Sequence, residues 1–387
     1  MNKNNLLKIQ EFGQSIWLDY ISRGMIHSGE LKRFIEEDGL RGVTSNPSIF
    51  DEAIEGDQDY EEDIQDMTRE GKGKEEIYQA LTVKDVQMAA DEFRRLYETS
   101  GGAHGFVSLE VNPHLAYRTK ETIREARELW RSLDRPNVFI KVPGTREGLP
   151  AIQQLISEGI NVNVTLLFGL PRYREVAAAY LAGLEERAAA GKRLDRVCSV
   201  ASFFLSRIDV LVDPKLEEIM AGIGTRAETA RRLHGQVAIA SAKQAYQIYK
   251  EIFGQKKFQR LTGKGASTQR VLWASTSTKN PDYSDVKYVE PLIGPETVNT
   301  LPLKTLNAYR DHGNPQERLK LGLEEASKVL ELLPVVDLDI DKVTQQLEEE
   351  GVEKFNKPYD RLLDTLATKR ARALGEKPQA QKAAPRG

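Results

Sequence analysis

The sequence contains little cysteine and little histidine. Its 387 residues include one cysteine, Cys198, so no disulfide can form within the chain, and this fits a reducing, cytoplasmic compartment. Its five histidines show no spacing typical of metal ligands. The sequence therefore predicts neither a metal site nor another bound cofactor.

Long apolar runs and an excess of one charge sign are also missing. No run approaches the roughly 18 apolar residues that a membrane-spanning helix needs, and the first residues lack the apolar core of a signal peptide. The 55 basic and 58 acidic residues nearly balance, for a net charge of -3. This balance argues against nucleic acid or a membrane as the main partner. It is compatible with a small anionic substrate, whose site needs few basic residues.

Short apolar runs alternate with long charged stretches that have helical periodicity. Such alternation predicts βα units and a parallel sheet. The predicted strands are Ile16–Tyr20, Arg41–Ser45, Gly105–Val111, Asn137–Val142, Asn161–Leu167, Cys198–Phe203, Arg270–Ser275 and Thr297–Leu301. Eight strands fit a (β/α)₈ TIM barrel. An open doubly wound sheet is the alternative, but no GxGxxG motif follows the first strand.

Two further helical patterns, Glu317–Leu333 and Asp339–Glu350, follow the last predicted strand. We expect them to pack as additional C-terminal helices on a single catalytic barrel domain that spans residues 1–368. Residues 369–387 contain six basic residues, one acidic residue and almost no large apolar ones. This composition predicts a disordered, solvated basic tail. Nothing in the sequence predicts the oligomeric state.

The strand VFIKV places a lysine where a barrel is normally apolar. Alternate residues of a strand point to opposite faces, so Phe139 and Lys141 would point into the lumen while their neighbours pack on helices. A buried ammonium is costly, and burial favours the neutral amine, which attacks carbonyl groups. The alternative is a lysine on an edge strand that prevents aggregation.

Other predicted strands carry polar residues with the same inward parity. These residues concentrate toward the carboxyl ends of the strands, where barrel enzymes carry their active sites. They are Asp19, Thr44, Asn46, Glu110, Asn163 and Thr165. Together with Lys141, these two acids, two asparagines and two threonines would converge at the carboxyl end of the barrel. Such a cluster favours a catalytic site over a set of structural ion pairs.

Basic residues and serines follow the later strands. Ser202 and Arg207 come after the sixth strand, and Ser275 and Lys279 come after the seventh, whose first residue is Arg270. Barrels often bind phosphate through loops late in the strand order, and arginine can donate two parallel hydrogen bonds to a phosphate. Each of these basic residues could instead be a surface charge. For Arg207 this alternative is the weakest, because the residue lies within the apolar run SFFLSRIDVLV.

Several segments together resemble the transaldolase family. They are IWLDYI, GVTSNPSIF, VSLEVNP, VFIKVPGT, INVNVTLLF and SFFLSRID, in the family's order, from Ile16 to Asp209. The closing stretch LEEEGVEKFNKPYDRLLDTL also looks like a transaldolase C-terminus, and WASTSTKNP is similar to a longer bacterial subgroup. TSNPSIF and IKVPGT are specific in combination. The resemblance implies a barrel related to class I aldolases.

The resemblance also implies a role for each polar residue. Lys141 would form a Schiff base with a ketose carbonyl, and Asp19, supported by Thr44, would be the general acid/base in carbon–carbon cleavage. Glu110 and Thr165 would hold the water used in imine formation and hydrolysis. The expected ligands of the dihydroxyacetone hydroxyls are Asn46, Asn163 and Ser202. Arg207 would bind the substrate phosphate.

The match becomes weaker after the sixth strand. The family places a second phosphate-binding arginine near the seventh strand, and here Arg270 and Lys279 both compete for that role. Ser275 belongs to one of the two segments that could align there. We favour Lys279, because it follows the carboxyl end of the strand, whereas Arg270 precedes the strand and should face the bottom of the barrel.

The activity implied is transfer of a dihydroxyacetone unit from a ketose phosphate to an aldose phosphate, in the pentose phosphate pathway. Two alternatives remain open. One is a lyase like fructose-6-phosphate aldolase, which has a glutamine at the position of Glu110 and a tyrosine at that of Phe204. The other is a barrel that binds sugar phosphates without catalysis, which would be expected to have lost Lys141 or Asp19.

Overall fold

The computed structural model describes residues 4–56 and 58–376. Eight parallel strands follow one another around a closed barrel in the order of the sequence. The strands are β1 Gln14–Asp19, β2 Gly42–Thr44, β3 Phe106–Glu110, β4 Val138–Pro143, β5 Val162–Leu167, β6 Ser199–Phe204, β7 Arg270–Ala274 and β8 Thr297–Leu301. This confirms the predicted (β/α)₈ barrel, and each predicted strand overlaps an observed one.

Helices connect the strands and continue beyond β8. They are α1 Asn5–Ile9, α2 Arg23–His27, α3 Glu30–Glu37, α4 Pro47–Gly56, α5 Glu61–Arg69, α6 Lys74–Glu92, α7 Arg94–Thr99, α8 Thr119–Leu133, α9 Gly148–Glu158, α10 Leu170–Ala189, α11 Ser206–Met220, α12 Thr225–Leu233, α13 Val237–Phe253, α14 Lys256–Thr262, α15 Leu303–His312, α16 Leu323–Leu332 and α17 Ile340–Ala373. Among the described residues, no helix is both long and apolar enough to cross a bilayer.

A layer of aromatic rings crosses the lumen beneath the polar residues of its carboxyl end. Trp17, Phe106 and Phe139 fill it low down, with ring centroids 4.4 Å apart for Phe106 and Phe139 and 6.0 Å apart for Trp17 and Phe139. Ser108 and Lys141 come two residues after Phe106 and Phe139 on β3 and β4, and therefore lie on the same, inward face of these strands. The inward parity predicted for Phe139 and Lys141 is thus observed, and the aromatic layer closes the barrel below the polar residues.

Strand β5 is irregular near its carboxyl end. Its register with β6 shifts between Val164 and Leu167, and Leu166 has a φ of 56°. A bulge of this kind bends a strand and redirects its side chains. It lies directly beside Thr165, one of the residues expected at the barrel mouth.

The C-terminal helices differ from their predicted bounds. The pattern Glu317–Leu333 contains the shorter α16, whereas Asp339–Glu350 is only the beginning of α17, a helix of 34 residues that continues through Gly351 and Pro358. Both residues disfavour a helix interior, but packing overrides this preference. Gly351 lies so close to β5 that an added Cβ would be 3.1 Å from a methyl carbon of Leu166.

The predicted tail boundary at residue 369 is wrong for its first residues. Helix α17 continues to Ala373, and Lys369 donates a 3.2 Å hydrogen bond to the carbonyl of Ile54 while Arg370 donates a 2.9 Å bond to that of Lys72. The composition of this segment predicted that its side chains would be solvated. Instead, these two basic side chains donate hydrogen bonds to backbone carbonyls of other parts of the fold. The remainder of the predicted tail, residues 377–387, lies outside the described residues.

Helix α17 crosses the carboxyl mouth of the barrel and is attached on both sides of it. Glu348 pairs with Arg172 of α10 at 3.2 Å, and Arg361 donates a 2.9 Å hydrogen bond to Asp51 of α4. Between these two pairs the helix passes over the polar end of the lumen.

Candidate active site

A cavity of about 350 Å³ opens at the carboxyl ends of the strands, beneath α17. Nine of the eleven residues proposed from the sequence line it, which are Asp19, Thr44, Asn46, Lys141, Thr165, Ser202, Arg207, Ser275 and Lys279. The other two, Glu110 and Asn163, lie behind this lining and contact it. The structure therefore brings the whole predicted set together.

Lys141 lies in the middle of the site. Its Nζ donates a 2.8 Å hydrogen bond to the carbonyl oxygen of Ser45 and lies 3.3 Å from Oε2 of Glu110. These contacts follow from the register of the sheet, because Glu110 and Lys141 are paired residues of β3 and β4. Both residues are almost fully buried, at 6% and 4% exposure.

Burial of Glu110 raises the pKa of its carboxyl to about 7, although the nearby Lys141 lowers it. Within the described residues, neither carboxylate oxygen of Glu110 nor the hydroxyl of Thr165 has a hydrogen-bond partner of good geometry. Buried polar atoms of this kind need partners. They therefore have free hydrogen-bonding capacity for a small polar molecule such as water.

Asp19 is the last residue of β1 and lines the same cavity. Thr44 donates a 2.7 Å hydrogen bond to its Oδ1, and the hydroxyls of Thr44 and Thr300 are also 2.7 Å apart. Burial raises the pKa of Asp19, while Lys141, Thr44 and Arg207 lower it. A raised pKa in a carboxylate that faces a cavity suits a group that exchanges protons.

Two asparagines support the polar wall between these groups. Asn46 caps α4, because its side-chain oxygen accepts a 3.2 Å bond from the backbone N–H of Ile49, and its amide N–H₂ remains as a donor. Asn163 accepts a 2.7 Å bond from the hydroxyl of Ser202 and donates a 3.1 Å bond to Ser108. Because Ser202 donates to Asn163, its oxygen lone pairs are available in the cavity.

Arg207 is a partly buried residue of the cavity lining and lies between two aromatic rings. Its Cζ lies 5.3 Å from the ring centroid of Phe204 and 5.8 Å from that of Phe355. Burial lowers the pKa of the guanidinium, and among the described residues its Nη1 has no hydrogen-bond partner. An arginine held by stacking with a free buried donor is suited to an anionic ligand.

The two candidates for a second basic contact lie at opposite ends of the barrel. Lys279 lines the cavity together with Ser275, a residue with a φ of 54° whose hydroxyl lies 2.9 Å from that of Ser206. Arg270 donates a 3.0 Å bond to Ser15 and a 3.1 Å bond to the carbonyl of Ala103. Both of its partners lie at the amino end of the barrel, so Arg270 does not line the cavity.

One site residue differs from its expected place. Ser202 and Arg207 were both expected after the sixth strand; Arg207 does follow it, in the first turn of α11, but Ser202 lies within β6. The predicted strand Cys198–Phe203 began one residue too early.

Sequence reasoning also missed several residues that line the cavity. They are Ser48, Ile49, Glu52, Ala274, Ser277, Thr300, Pro302, Lys354 and Phe355. Thr300 could have been found from its inward parity with Val298 in the eighth strand. Lys354 and Phe355 gave no such signal, since a lysine and a phenylalanine in an amphipathic helix are normally surface and packing residues.

A family model described as "Transaldolase/Fructose-6-phosphate aldolase" matches residues 16–366. The chain belongs to this transaldolase/fructose-6-phosphate aldolase family. The family predicted from the sequence motifs is thus confirmed, and the chain is an enzyme.

Similar curated proteins cover nearly the whole chain. A transaldolase of Trichodesmium erythraeum is 48% identical over 373 residues, which are 95% of this chain and 98% of the relative. A "Transaldolase 2" of Nostoc sp. is 48% identical, with 95% of this chain and 97% of the relative covered. A transaldolase of Thiobacillus denitrificans is also 48% identical, with coverage of 92% and 97%. The similarity to these members of the family therefore covers more than nine tenths of the chain.

Proposed function

We propose that the chain is a transaldolase, a transferase that moves a dihydroxyacetone unit between sugar phosphates through a Schiff base on Lys141. The donor would be sedoheptulose 7-phosphate or fructose 6-phosphate, and the acceptor glyceraldehyde 3-phosphate or erythrose 4-phosphate. This reaction belongs to the pentose phosphate pathway in the cytoplasm. One observation carries the proposal: a buried lysine amine, a carboxylate and a partly buried arginine line the same cavity, and these are Lys141, Asp19 and Arg207.

Lys141 attacks the C2 carbonyl of the ketose phosphate as a neutral amine. The proton that its ammonium must lose has an acceptor 3.3 Å away in Glu110. Attack gives a carbinolamine, and loss of its hydroxyl as water gives the iminium. A water held by Glu110 and Thr165 serves these proton transfers, which is consistent with the lack of a well-aligned hydrogen-bond partner at their buried oxygens in the described residues.

Asp19 then removes the proton of the C4 hydroxyl. The C3–C4 bond breaks, its electron pair moves into the iminium, and an aldose phosphate leaves. The three-carbon enamine stays on Lys141 until it attacks the aldehyde of a second aldose phosphate, to which Asp19 returns the proton. The hydrogen bond from Thr44 holds the carboxylate of Asp19 in place for both steps.

The remaining polar residues bind the two ends of the substrate. The amide N–H₂ of Asn46 and the oxygen of Ser202 contact the dihydroxyacetone hydroxyls, while Asn163 orients Ser202 through their 2.7 Å bond. Arg207 binds the phosphate with its free donor, and Lys279, beside Ser275, adds a second positive charge.

A lyase that releases free dihydroxyacetone is the second candidate, because the family description includes fructose-6-phosphate aldolase. Glu110 and Phe204 disfavour it, since that aldolase carries glutamine and tyrosine at these positions. The similar proteins with full-length coverage are named transaldolases. A barrel that only binds sugar phosphates is disfavoured by the presence of both Lys141 and Asp19.

The test is borohydride trapping of the purified enzyme with fructose 6-phosphate, followed by mapping of the modified lysine, with assays in the presence and absence of an acceptor aldose phosphate. A transaldolase gives a three-carbon adduct on Lys141 and turns over only with the acceptor. Turnover without the acceptor indicates the lyase. Absence of an adduct, or an adduct retained by Lys141→Ala, contradicts the proposal.

A further inference from the structure

Phe355 is a cavity residue to which the mechanism above gives no task. It lies on α17, the helix that crosses the mouth, and is 5% exposed. The centroid of its ring is 5.7 Å from Nζ of Lys141 and 5.8 Å from Cζ of Arg207. The ring therefore lies beside both the amine that forms the imine and the guanidinium at the other end of the cavity.

Helix α17 holds this ring in place. The Glu348–Arg172 pair fixes the helix before Phe355, and the Arg361–Asp51 pair fixes it afterwards. Tyr359, one turn further along the helix, packs edge-on against Tyr78 with a centroid distance of 5.1 Å. The helix is thus held on both sides of the mouth, and Phe355 points from it into the cavity.

The chemistry creates a need for an apolar group at this position. In the three-carbon enamine the nucleophilic carbon is two bonds from Nζ of Lys141. If that carbon takes a proton, the enamine becomes an iminium. Water then adds to C2, the C2–N bond breaks, and free dihydroxyacetone leaves with the amine restored. The net change is consumption of one water, so transfer is lost to hydrolysis.

A phenyl ring has no proton to give and no site that holds a water. Its bulk near Nζ occupies space from which water could reach the enamine. A second aromatic ring, that of Phe204, also lies beside Arg207. The Cζ atom of Arg207 is 5.3 Å from the centroid of this ring. The two rings together give the cavity an apolar wall on either side of Arg207.

We propose that Phe355 determines how the enamine on Lys141 divides between transfer to an aldehyde and loss to water. This inference rests on the proposed Schiff-base mechanism. Phe355 is a specificity-determining residue here, supplied by a helix outside the eight βα units.

The decisive variant is Phe355→Ala, which opens the space occupied by the ring. The measured quantity is the ratio of two rates: release of free dihydroxyacetone from fructose 6-phosphate without acceptor, and transfer with acceptor. We expect this ratio to rise roughly tenfold, which corresponds to a barrier change of about 1.4 kcal/mol. Phe355→Leu keeps apolar bulk and should stay close to the wild-type ratio. A rise as large in Phe355→Leu as in Phe355→Ala would overturn the role of bulk in excluding water.

Val352→Ala is the matched control for loosening of the helix. Val352 is buried on the same helix, at 4% exposure, and does not line the cavity. If Val352→Ala raises dihydroxyacetone release as much as Phe355→Ala does, general loosening of α17 explains the effect and the inference is wrong. If it leaves the ratio unchanged while Phe355→Ala raises it, the ring itself is responsible.

Borohydride trapping separates failure of this inference from failure of the proposed function. An adduct on Lys141 in both wild type and Phe355→Ala, with the same ratio of release to transfer, overturns the role of Phe355 alone. Absence of an adduct in the wild type contradicts the Schiff-base mechanism. If Phe355→Ala does not fold, the ratio of dihydroxyacetone release to transfer is compared between Phe355→Ser and Phe355→Leu instead. These two variants differ in the size and in the polarity of the side chain at this position. Release that does not rise in Phe355→Ser also overturns the inference.

Discussion

Nζ of Lys141 lies 3.3 Å from Oε2 of Glu110, and both side chains are almost fully buried. Burial raises the pKa of Glu110 to about 7. Below that pH Glu110 is mainly a neutral acid, so no carboxylate is available to accept a proton from Lys141. Above it, the carboxylate can take the proton and release the amine for attack.

We therefore expect kcat/KM to fall about tenfold for each pH unit below a pKa near 7, since activity requires the deprotonated form of Glu110. Glu110→Gln should lose this acid limb and slow imine formation by roughly two to four orders of magnitude. A pH profile of kcat/KM for wild type and variant measures both effects. An acid limb that persists unchanged in Glu110→Gln would assign it to another group.

Asp19→Asn should slow carbon–carbon cleavage by roughly two to four orders of magnitude, the usual contribution of a general acid/base. Imine formation with free dihydroxyacetone should survive, because Asp19 acts after it. Single-turnover cleavage and borohydride trapping measure the two steps separately. Near-normal cleavage in Asp19→Asn would remove this residue from the mechanism.

Thr44→Val provides a matched comparison for Asp19. It removes the hydroxyl that donates to Oδ1 of Asp19 and contributes to lowering its pKa. We expect a smaller loss of cleavage than in Asp19→Asn and an acid limb of kcat moved to higher pH, since the carboxylate loses a stabilising donor. A loss in Thr44→Val as large as in Asp19→Asn, with no shift in the pH profile, would indicate a structural role instead.

Arg207→Ala should weaken the binding of phosphorylated substrates and leave the reaction with free dihydroxyacetone almost unaffected. Loss of a hydrogen bond to a charged group costs about 1.5–3 kcal/mol, so KM for fructose 6-phosphate should rise roughly 10- to 150-fold. Trapping of free dihydroxyacetone on Lys141 is the control. An equal loss for both compounds would place Arg207 in the structure rather than at the phosphate.

Much of the fold and the lumen-facing part of the site could be predicted because the necessary signals are local. The period of two in a strand puts Lys141 on the same face as Phe139, and the position of a residue along the strand tells which end of the barrel it faces. Parallel neighbours then bring residues at the same height together, as with Glu110 and Lys141.

The contribution of α17 could not be predicted in this way. Lys354 and Phe355 reach the cavity because ion pairs on either side of the mouth fix where the helix lies, and these join residues far apart in sequence, such as Asp51 and Arg361. The helix itself continues through Gly351 and Pro358 because of tertiary packing, against their local preference. No window of sequence contains either determinant.

Lys279 and Arg270 give a matched pair of variants, since Lys279→Ala and Arg270→Ala each remove one positive charge. Lys279 lines the cavity, whereas Arg270 donates to Ser15 and to the carbonyl of Ala103 at the other end of the barrel. Lys279→Ala should raise KM for phosphorylated sugars severalfold with little change in thermal stability, as expected for a contact with substrate by a flexible cation.

Arg270→Ala should do the reverse. Its removal takes the donor from the part-buried hydroxyl of Ser15 and from the exposed carbonyl of Ala103, where water can replace it. We expect a cost of about 0.5–1.5 kcal/mol in the free energy of unfolding, while KM stays near the wild-type value. Denaturant unfolding and steady-state kinetics on both variants measure this contrast. Both variants remove one positive charge. If Lys279 acted only through general electrostatic attraction of the substrate, loss of that attraction would raise KM equally in both. A rise in KM confined to Arg270→Ala would mean that the second phosphate contact comes from the seventh strand itself, against the placement of Lys279 at the cavity.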